Sequence, residues 1–364
     1  MAIHVTDSLG PKSYLMIFPS STALSALTNF FPYFSLKYSI SACVRLSFDS
    51  LFTSDCGRDI VLTLFFSTTS LKCCRLEVKL AMETIFDDRG MVVTYDNRSM
   101  LFISDIHLGL EEDLAESKGV HFPPQHPAIL KRIEGLLKKH SISHLFIIGD
   151  VKHTILTDSY YNWEIIPEFM EALLKRVEIT VIPGNHDGDL KALLPRDVNI
   201  VDVHGILVGP ENEQIGLLHG HSWPSADVLE AKMIVIGHNH PTIQRYRDAS
   251  VPEIGRPSRR RFAGTVPVVL KSELDKNCAR KAMGILEVPD DTRCVLVTLP
   301  SFNTLLSGIS VNYPMSEFQG PFFENHCARL PESEVHSIDG IYLGSVKWLR
   351  ERFNEMIKSN PSRE

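Results

Sequence analysis

Five short segments gather side chains that bind cations or move protons: Asp105-Ile106-His107, Gly149-Asp150, Gly184-Asn185-His186-Asp187, His219-Gly220-His221 and Gly237-His238-Asn239-His240. Carboxylate, amide-oxygen and imidazole donors in one set suit Mn, Fe, Zn or Co better than Ca or Mg, which prefer oxygen-only shells. A D-x-H or G-H-x-H tripeptide just past a strand aims alternate side chains at one volume, so one segment can serve two adjacent ions. Singly, these signals are weak: Asp105 also reads as a turn cap and His107 as a satisfied loop histidine. Five in succession, each behind an apolar run, are not explained that way.

The apolar runs that position them read as strands. Residues 100–104, 144–148, 178–182, 214–218 and 233–236 each end on one of the five segments. Ile129, Ile133, Leu136 and Leu137 recur at helical spacing after Pro127, which predicts a crossover helix between the first two strands. A second helix is predicted over 164–176, with Ile166, Phe169, Met170, Leu173 and Leu174 on one face and Pro167 in its first turn. Alternating strands and helices imply an α/β sheet with covered faces, and ligands bind beyond the carboxyl ends of such strands.

A formal net charge of −7 over 364 residues argues against a protein that coats nucleic acid by bulk electrostatics, although bound cations can still draw a phosphate locally. The short run Arg256-Pro257-Ser258-Arg259-Arg260-Arg261 reads either as a nucleic-acid backbone contact or as a solvated loop. Seven scattered cysteines without metal spacing read as reduced thiols in a cytoplasmic protein. Before Met82 the text is rich in Ser, Thr, Leu and Phe, yet no run reaches the roughly 18 to 20 apolar residues of a membrane span. No clean signal-peptide pattern occurs there either. The expected division is an extension over 1–81, poorly ordered or upstream of a start at Met82 or Met91, a catalytic domain over 82–350 and a tail over 351–364.

The ordered motifs resemble the calcineurin-like metallophosphoesterase superfamily across roughly residues 100–245. Gly149-Asp150-Val151-Lys152-His153, His219-Gly220-His221-Ser222-Trp223-Pro224 and Gly237-His238-Asn239-His240-Pro241 are similar to one branch. It comprises archaeal phosphoesterases related to the Mre11-type nuclease subunit and the bacterial phosphoesterase associated with a DNA ligase and a large helicase. Pro300-Ser301-Phe302-Asn303 and Asp339-Gly340-Ile341-Tyr342-Leu343-Gly344 extend that likeness towards the C-terminus. The resemblance implies a layered α/β sandwich of two mixed β-sheets flanked by helices, with a dinuclear metal site at the strand C-terminal ends.

Carried over by position, one ion would be held by Asp105, His107, Asp150 and His240, and the other by Asp150, Asn185, His219 and His238. Asp150 then bridges cations roughly 3.5 to 4 Å apart. His186 is implied as general acid and Asp187 as the group that orients its ring. The expected metal is Mn, with Fe, Zn, Co or Ni as alternatives. Lys152 and His153 read either as phosphate contacts and support beside Asp150 or as an exposed polar loop, and His221 and Trp223-Pro224 as support and packing. The implied function is hydrolysis of phosphodiesters, as a Mn-dependent DNA nuclease in repair with helicase or ligase association. Two alternatives stand beside it: a hydrolase of a small nucleotide or phosphomonoester, and a non-catalytic metal-binding scaffold.

Overall fold

Runs such as Met100-Leu101-Phe102-Ile103 and Leu145-Phe146-Ile147-Ile148 present no polar face, so as strands they must be covered on both sides. In the computed structural model they are. It describes residues 82–155, 160–248, 260–285 and 292–358, together with four short strands nearer the N-terminus. Contacts divide the chain into Met1–Glu83 and Thr84–Glu364. In the first unit β1 (Ala2–Thr6) pairs with β2 (Ser13–Ile17), and β3 (Val61–Leu64) with β4 (Cys74–Glu77), both antiparallel, in a stretch whose sequence shows no sustained period. The expectation of poor order over the rest of 1–81 lies outside the described residues, as does most of the basic run Arg256–Arg261.

Two mixed sheets build the second unit. The first has the order β10-β9-β8-β7-β6-β5, from β5 (Glu83–Asp87), β6 (Gly90–Tyr95), β7 (Arg98–Ile103), β8 (Ile142–Ile148), β9 (Glu178–Ile182) and β10 (Asn199–Ile200). Strands β7 to β10 are parallel, and β6 runs against β7. The second sheet joins β11 (Ile206–Val208), β12 (Ile215–Leu217), β13 (Met233–Ile236), β16 (Arg293–Thr298), β15 (Arg260–Asp275), β17 (Glu334–Ser337) and β18 (Tyr342–Ser345), with β14 (Thr242–Asp248) paired to β15.

Helices cover each sheet. In the first core, α2 (His126–His140) and α3 (Tyr160–Leu174) set Ile129, Ile133, Ile166 and Phe169 against Leu101, Ile103, Leu145, Ile147 and Val181. The preceding α1 (Leu110–Lys118) follows the first metal-type segment. The second core packs Val228, Phe322 and Phe323 with Ile234, Ile236, Leu270 and Leu296. Met91, Phe102, Ile148, Ile182, Leu217, Val235, Val269 and Val297 belong to neither cluster yet are nearly or fully buried. By strand alternation they occupy the opposite faces, where the two sheets meet.

Two expectations are corrected. The second crossover helix starts at Tyr160, so Pro167 lies in its interior and removes one backbone hydrogen bond. Cys278 and Cys327 are joined in a disulfide, with Cα atoms 5.3 Å apart across a sequence separation of 49. The bonded pair lies where Asp275 caps the helix Lys276–Ala282 and its backbone N–H donates to the Cys327 carbonyl, a meeting that cysteine spacing does not encode. The cytoplasmic expectation thereby loses its cysteine argument. Among the described residues no helix is long and apolar enough to cross a membrane.

Candidate metal centre

The loops after β7 and β8 continue the parallel pairing of their strands. The Asp105 N–H donates to the Gly149 carbonyl at 3.1 Å, and those of His107 and Leu108 to the Asp150 and Val151 carbonyls at 2.8 Å. Beyond β13, the Gly237 N–H donates to the His219 carbonyl at 3.0 Å. These cross-loop bonds hold an unusual backbone: Asp105, His107, Asp150, His238 and His240 have φ of 59°, 45°, 52°, 67° and 43°. The left-handed region is costly for residues with a Cβ, and such strain persists where the surroundings over-determine it. At Gly184 a side chain would collide with the Asp150 carboxylate, and at Gly149 with the His219 ring.

The seven expected ligands come together. Asp150 Oδ2 lies 3.3 Å from His107 Nε2 and 3.4 Å from His219 Nε2. Asp105 Oδ1 lies 2.9 Å from His240 Nε2 and 3.9 Å from His219 Nδ1. Asn185 Oδ1 is 3.2 Å from His219 Nε2, and the His238 ring centre is 5.1 Å from that of His219. Potential ligand atoms lie within 4.8 Å of one another in the groups Asp105, His107, His240 and Asp105, Asp150, His219, and in a third, His107, His153, His186.

The donor set fits divalent cations. His107 Nε2 and His240 Nε2 are buried beside carboxylates yet not aligned to hydrogen-bond them. His219 donates its Nδ1–H to the Ile148 carbonyl at 3.0 Å, which leaves Nε2 facing the centre, the arrangement that fixes a metal-bound imidazole. Burial opposes the charge on Asp105 and Asp150, but the surrounding imidazoles outweigh it and hold both carboxyls below their usual range. Burial, then the positive charge of neighbouring imidazoles, pushes His153, His221 and His238 down to about 4. His219 is pushed up against its own burial by the Asp150 and Asp105 carboxylates. Anionic carboxylates and neutral imidazoles are the protonation states that bind metal, and a proton shared between Asp150 and His219 is what a cation displaces.

His186 stands at the rim, its N–H donating to Asp150 Oδ1 at 2.9 Å and its Nε2 4.0 Å from Asp150 Oδ2. Asp187 does not orient that ring. Its Oδ1 accepts from the Val151 and Lys152 N–H groups at 2.9 and 3.2 Å, and its Oδ2 from the Gly184 N–H at 2.8 Å. Burial, then Asp150, pushes its pKa up to about 6. The ring of His186 is instead anchored by Nδ1, which bonds the His153 carbonyl. His153 joins the site directly, with Nδ1 3.3 Å from His107 Nδ1. Lys152 is buried, and its Nζ donates to the Thr154 carbonyl at 2.7 Å. Trp223 packs edge-on against Phe322, and His221 Nδ1 is buried without a hydrogen bond.

The segment 300–303 braces the first loop, a role that sequence reasoning did not assign. Ser301 Oγ donates to the Asp105 carbonyl at 2.8 Å, Asn303 Nδ2 to the Ile106 carbonyl at 2.9 Å, and the Phe302 N–H to the Ser104 carbonyl at 2.8 Å. Arg89 and Arg132 hold that segment in turn, Arg89 through the Ser301 and Asn303 carbonyls and Arg132 through that of Phe302. Proximity across nearly 200 residues leaves no mark in local spacing.

Residues 99–263 match the calcineurin-like phosphoesterase family. Over that region the chain carries a calcineurin-like phosphoesterase domain. This metallophosphoesterase is a hydrolytic enzyme, of a family whose members use divalent metals. A comparison with curated proteins finds no match. Among solved structures it is similar to the nuclease MPE of Pseudomonas putida, at 18% identity and a TM-score of 0.40, over 72% of this chain and 100% of that one. A protein of unknown function from Aquifex aeolicus is 21% identical, with a TM-score of 0.27 over 39% of this chain and 78% of its own. Yfce, a phosphoesterase from E. coli, is 19% identical, with a TM-score of 0.27 over 46% and 97%. None of the three bears on the substrate of this metallophosphoesterase.

Proposed function

We propose that the enzyme hydrolyses phosphodiesters, with DNA as substrate and Mn as metal. The observation that carries this reading is the placement of Asp150 Oδ2, which faces His107, His219 and His186 at 3.3, 3.4 and 4.0 Å. That one carboxylate stands between two sets of donors and beside a proton-carrying imidazole. Asp105, His107, Asp150 and His240 would hold one ion, and Asp150, Asn185, His219 and His238 the other. When bound, the ions acidify water and neutralise charge on the phosphoryl oxygens.

Other steps belong to side chains of the chain itself. His186 Nδ1 bonds the His153 carbonyl, so the ring carries its mobile proton at Nε2, the atom turned towards Asp150 and the centre. From there it protonates the leaving alkoxide, a transfer worth about 10² to 10⁴ in rate. Asn185 is exposed and His186 partly so, which leaves this side of the centre open to a long substrate. The choice of DNA and repair, with helicase or ligase association, rests on the branch-like motifs around Asp150, His219 and His238.

The test uses the full chain with Mn, Ni, Co or Zn on an aryl phosphodiester, an aryl phosphomonoester, and single- and double-stranded DNA. The diester and DNA are expected to be cut with Mn. His186→Ala is expected to lose about 10²-fold or more on DNA and less on the aryl diester, whose leaving group needs no acid. Activity on the monoester alone overturns the reading, and inactivity with every metal restores the scaffold alternative.

A further inference from the structure

A small cavity of about 60 Å³ lies beside the centre and shares His240 with it. Arg89, Thr242, Thr265, Ser301 and Thr304 also line it, and no carboxylate does. At about 10 to 15 Å³ per water-sized group, it has room for a cluster the size of one tetrahedral oxyanion and not for a nucleobase.

Arg89 is the feature that demands an explanation. It occupies the turn between β5 and β6, where Asp88 and Arg89 have φ of 43° and 67°. Two-residue hairpin turns with both residues left-handed favour Asn and Gly, so an arginine there is a local cost. Its Nη1 donates to the Ser301 and Asn303 carbonyls at 2.9 and 3.1 Å. The adjacent Asp88 carboxylate is taken by Arg132, in a two-point contact at 2.8 and 2.9 Å. Among the described residues no carboxylate pairs with Arg89, and its Nε and Nη2 have no protein partner. Burial, followed by the charge of Arg132, lowers its pKa to about 10, which measures how poorly the site compensates that guanidinium. A half-buried cation whose nearest carboxylate, Asp88, is already bonded to Arg132, facing a polar cavity, is an anion site in waiting.

We propose that this cavity is a subsite for a second phosphate of the substrate, one link away from the phosphate at the metal centre, with Arg89 as its counter-charge. The inference rests on the phosphodiesterase reading and sharpens it. The shared chemistry is a phosphate group, supplied either by the next linkage of a polynucleotide or by the terminal phosphate of a small nucleotide.

Three substrates with one leaving group separate the sources: thymidine 5′-(p-nitrophenyl phosphate), which has no second anion, its 3′-phosphorylated form, and the 5′-(p-nitrophenyl phosphate) of a four-residue oligothymidylate. The full chain is expected to favour one or both extended forms by about tenfold in kcat/KM, through KM. The favoured form names the source. Thr304→Glu places a carboxylate at the exposed rim of the cavity without touching the 300–303 brace. It is expected to abolish that preference while leaving the first substrate within about twofold of the parent chain. Arg89→Gln is expected to abolish it too, with added loss on all substrates from the weakened brace. Calorimetry is read whether or not the enzyme turns over: the metal-loaded chain should bind thymidine 3′,5′-bisphosphate about tenfold more tightly than thymidine 5′-monophosphate, and the Thr304→Glu chain should not. Equal binding of the two nucleotides, or a preference that survives both substitutions, overturns the subsite. Loss of the phosphodiesterase reading is recognised separately, as failure of the parent chain to cut the first substrate.

Discussion

The two halves of the proposed metal centre are built differently. Asp105 and His107 are buried and held from afar, by Ser301 and Asn303, and that segment is held again by Arg89 and Arg132. Asn185 is exposed and His238 only half-buried, and the loop between Asp150 and Asn185 is held locally by the Asp187 carboxylate. One half is thus a rigid floor and the other a rim. A rigid, pre-formed donor set loses less entropy on binding a cation, whereas an exposed amide at the rim can exchange with substrate oxygens. The floor is expected to bind its ion more tightly than the rim.

Removing the shared carboxylate breaks both halves together. Asp150→Asn is expected to lower diesterase activity by at least about 10³-fold, with metal content measured by mass spectrometry falling at both positions. Retention of one tightly held ion would show that Asp150 does not bridge. Next in size, Asn303→Ala removes the bonds to the Ile106 and His107 carbonyls without altering a ligand side chain. It should weaken the tighter of two Mn binding steps by about 10- to 100-fold and leave the weaker step unchanged. Equal weakening of both steps would erase the distinction between floor and rim.

The contrast also explains how much of the molecule was legible in its sequence. Strands β9 and β13 begin and end where the apolar runs do, because a buried parallel strand needs an unbroken run and a polar residue at its end is read directly. All seven ligand candidates were visible for the same reason, each lying within the first four residues past such a strand. Braces are harder to see. Ser301 and Asn303 lie about 196 residues from the carbonyls they bond, and an ordinary S-F-N triplet carries no periodic signature. Asp187 was visible but misread: beside His186 in sequence, it turns the other way, because a buried carboxylate is best satisfied by the three backbone N–H groups that converge there.

That misreading has a measurable counterpart at the rim. In Asp187→Asn one acceptor becomes a donor, and a backbone N–H in the loop is left facing it. The expected cost is about 1 to 3 kcal/mol, read as a lower denaturant midpoint for the full chain. As a brace of the loop, Asp187 should leave the ratio of activity on activated and unactivated diesters as in the parent chain. As the partner of His186, it would lower that on unactivated diesters selectively. The second outcome would return Asp187 to the acid machinery.

The smallest effect is expected away from both halves. At the end of β5, Asp87 accepts from Lys139 and, at 2.7 Å, pairs with His140, tying the edge of the first sheet to the last turn of α2. Desolvation works against its charge, but those two partners outweigh it and hold the carboxyl below its ordinary value. A depressed carboxylate stabilises the fold at pH values above its unfolded value and loses that contribution as pH falls through the folded one. The contacts sit near the surface, so Asp87→Asn should cost less than about 1 kcal/mol at neutral pH and nothing once the carboxylate is protonated in both states. Neither Mn binding step should move, since the tie ends on the outer face of the sheet's helix layer and not on the 300–303 brace. A shift in the tighter step would mean that the floor takes its rigidity from the whole first sheet, rather than from the segment that closes over Asp105.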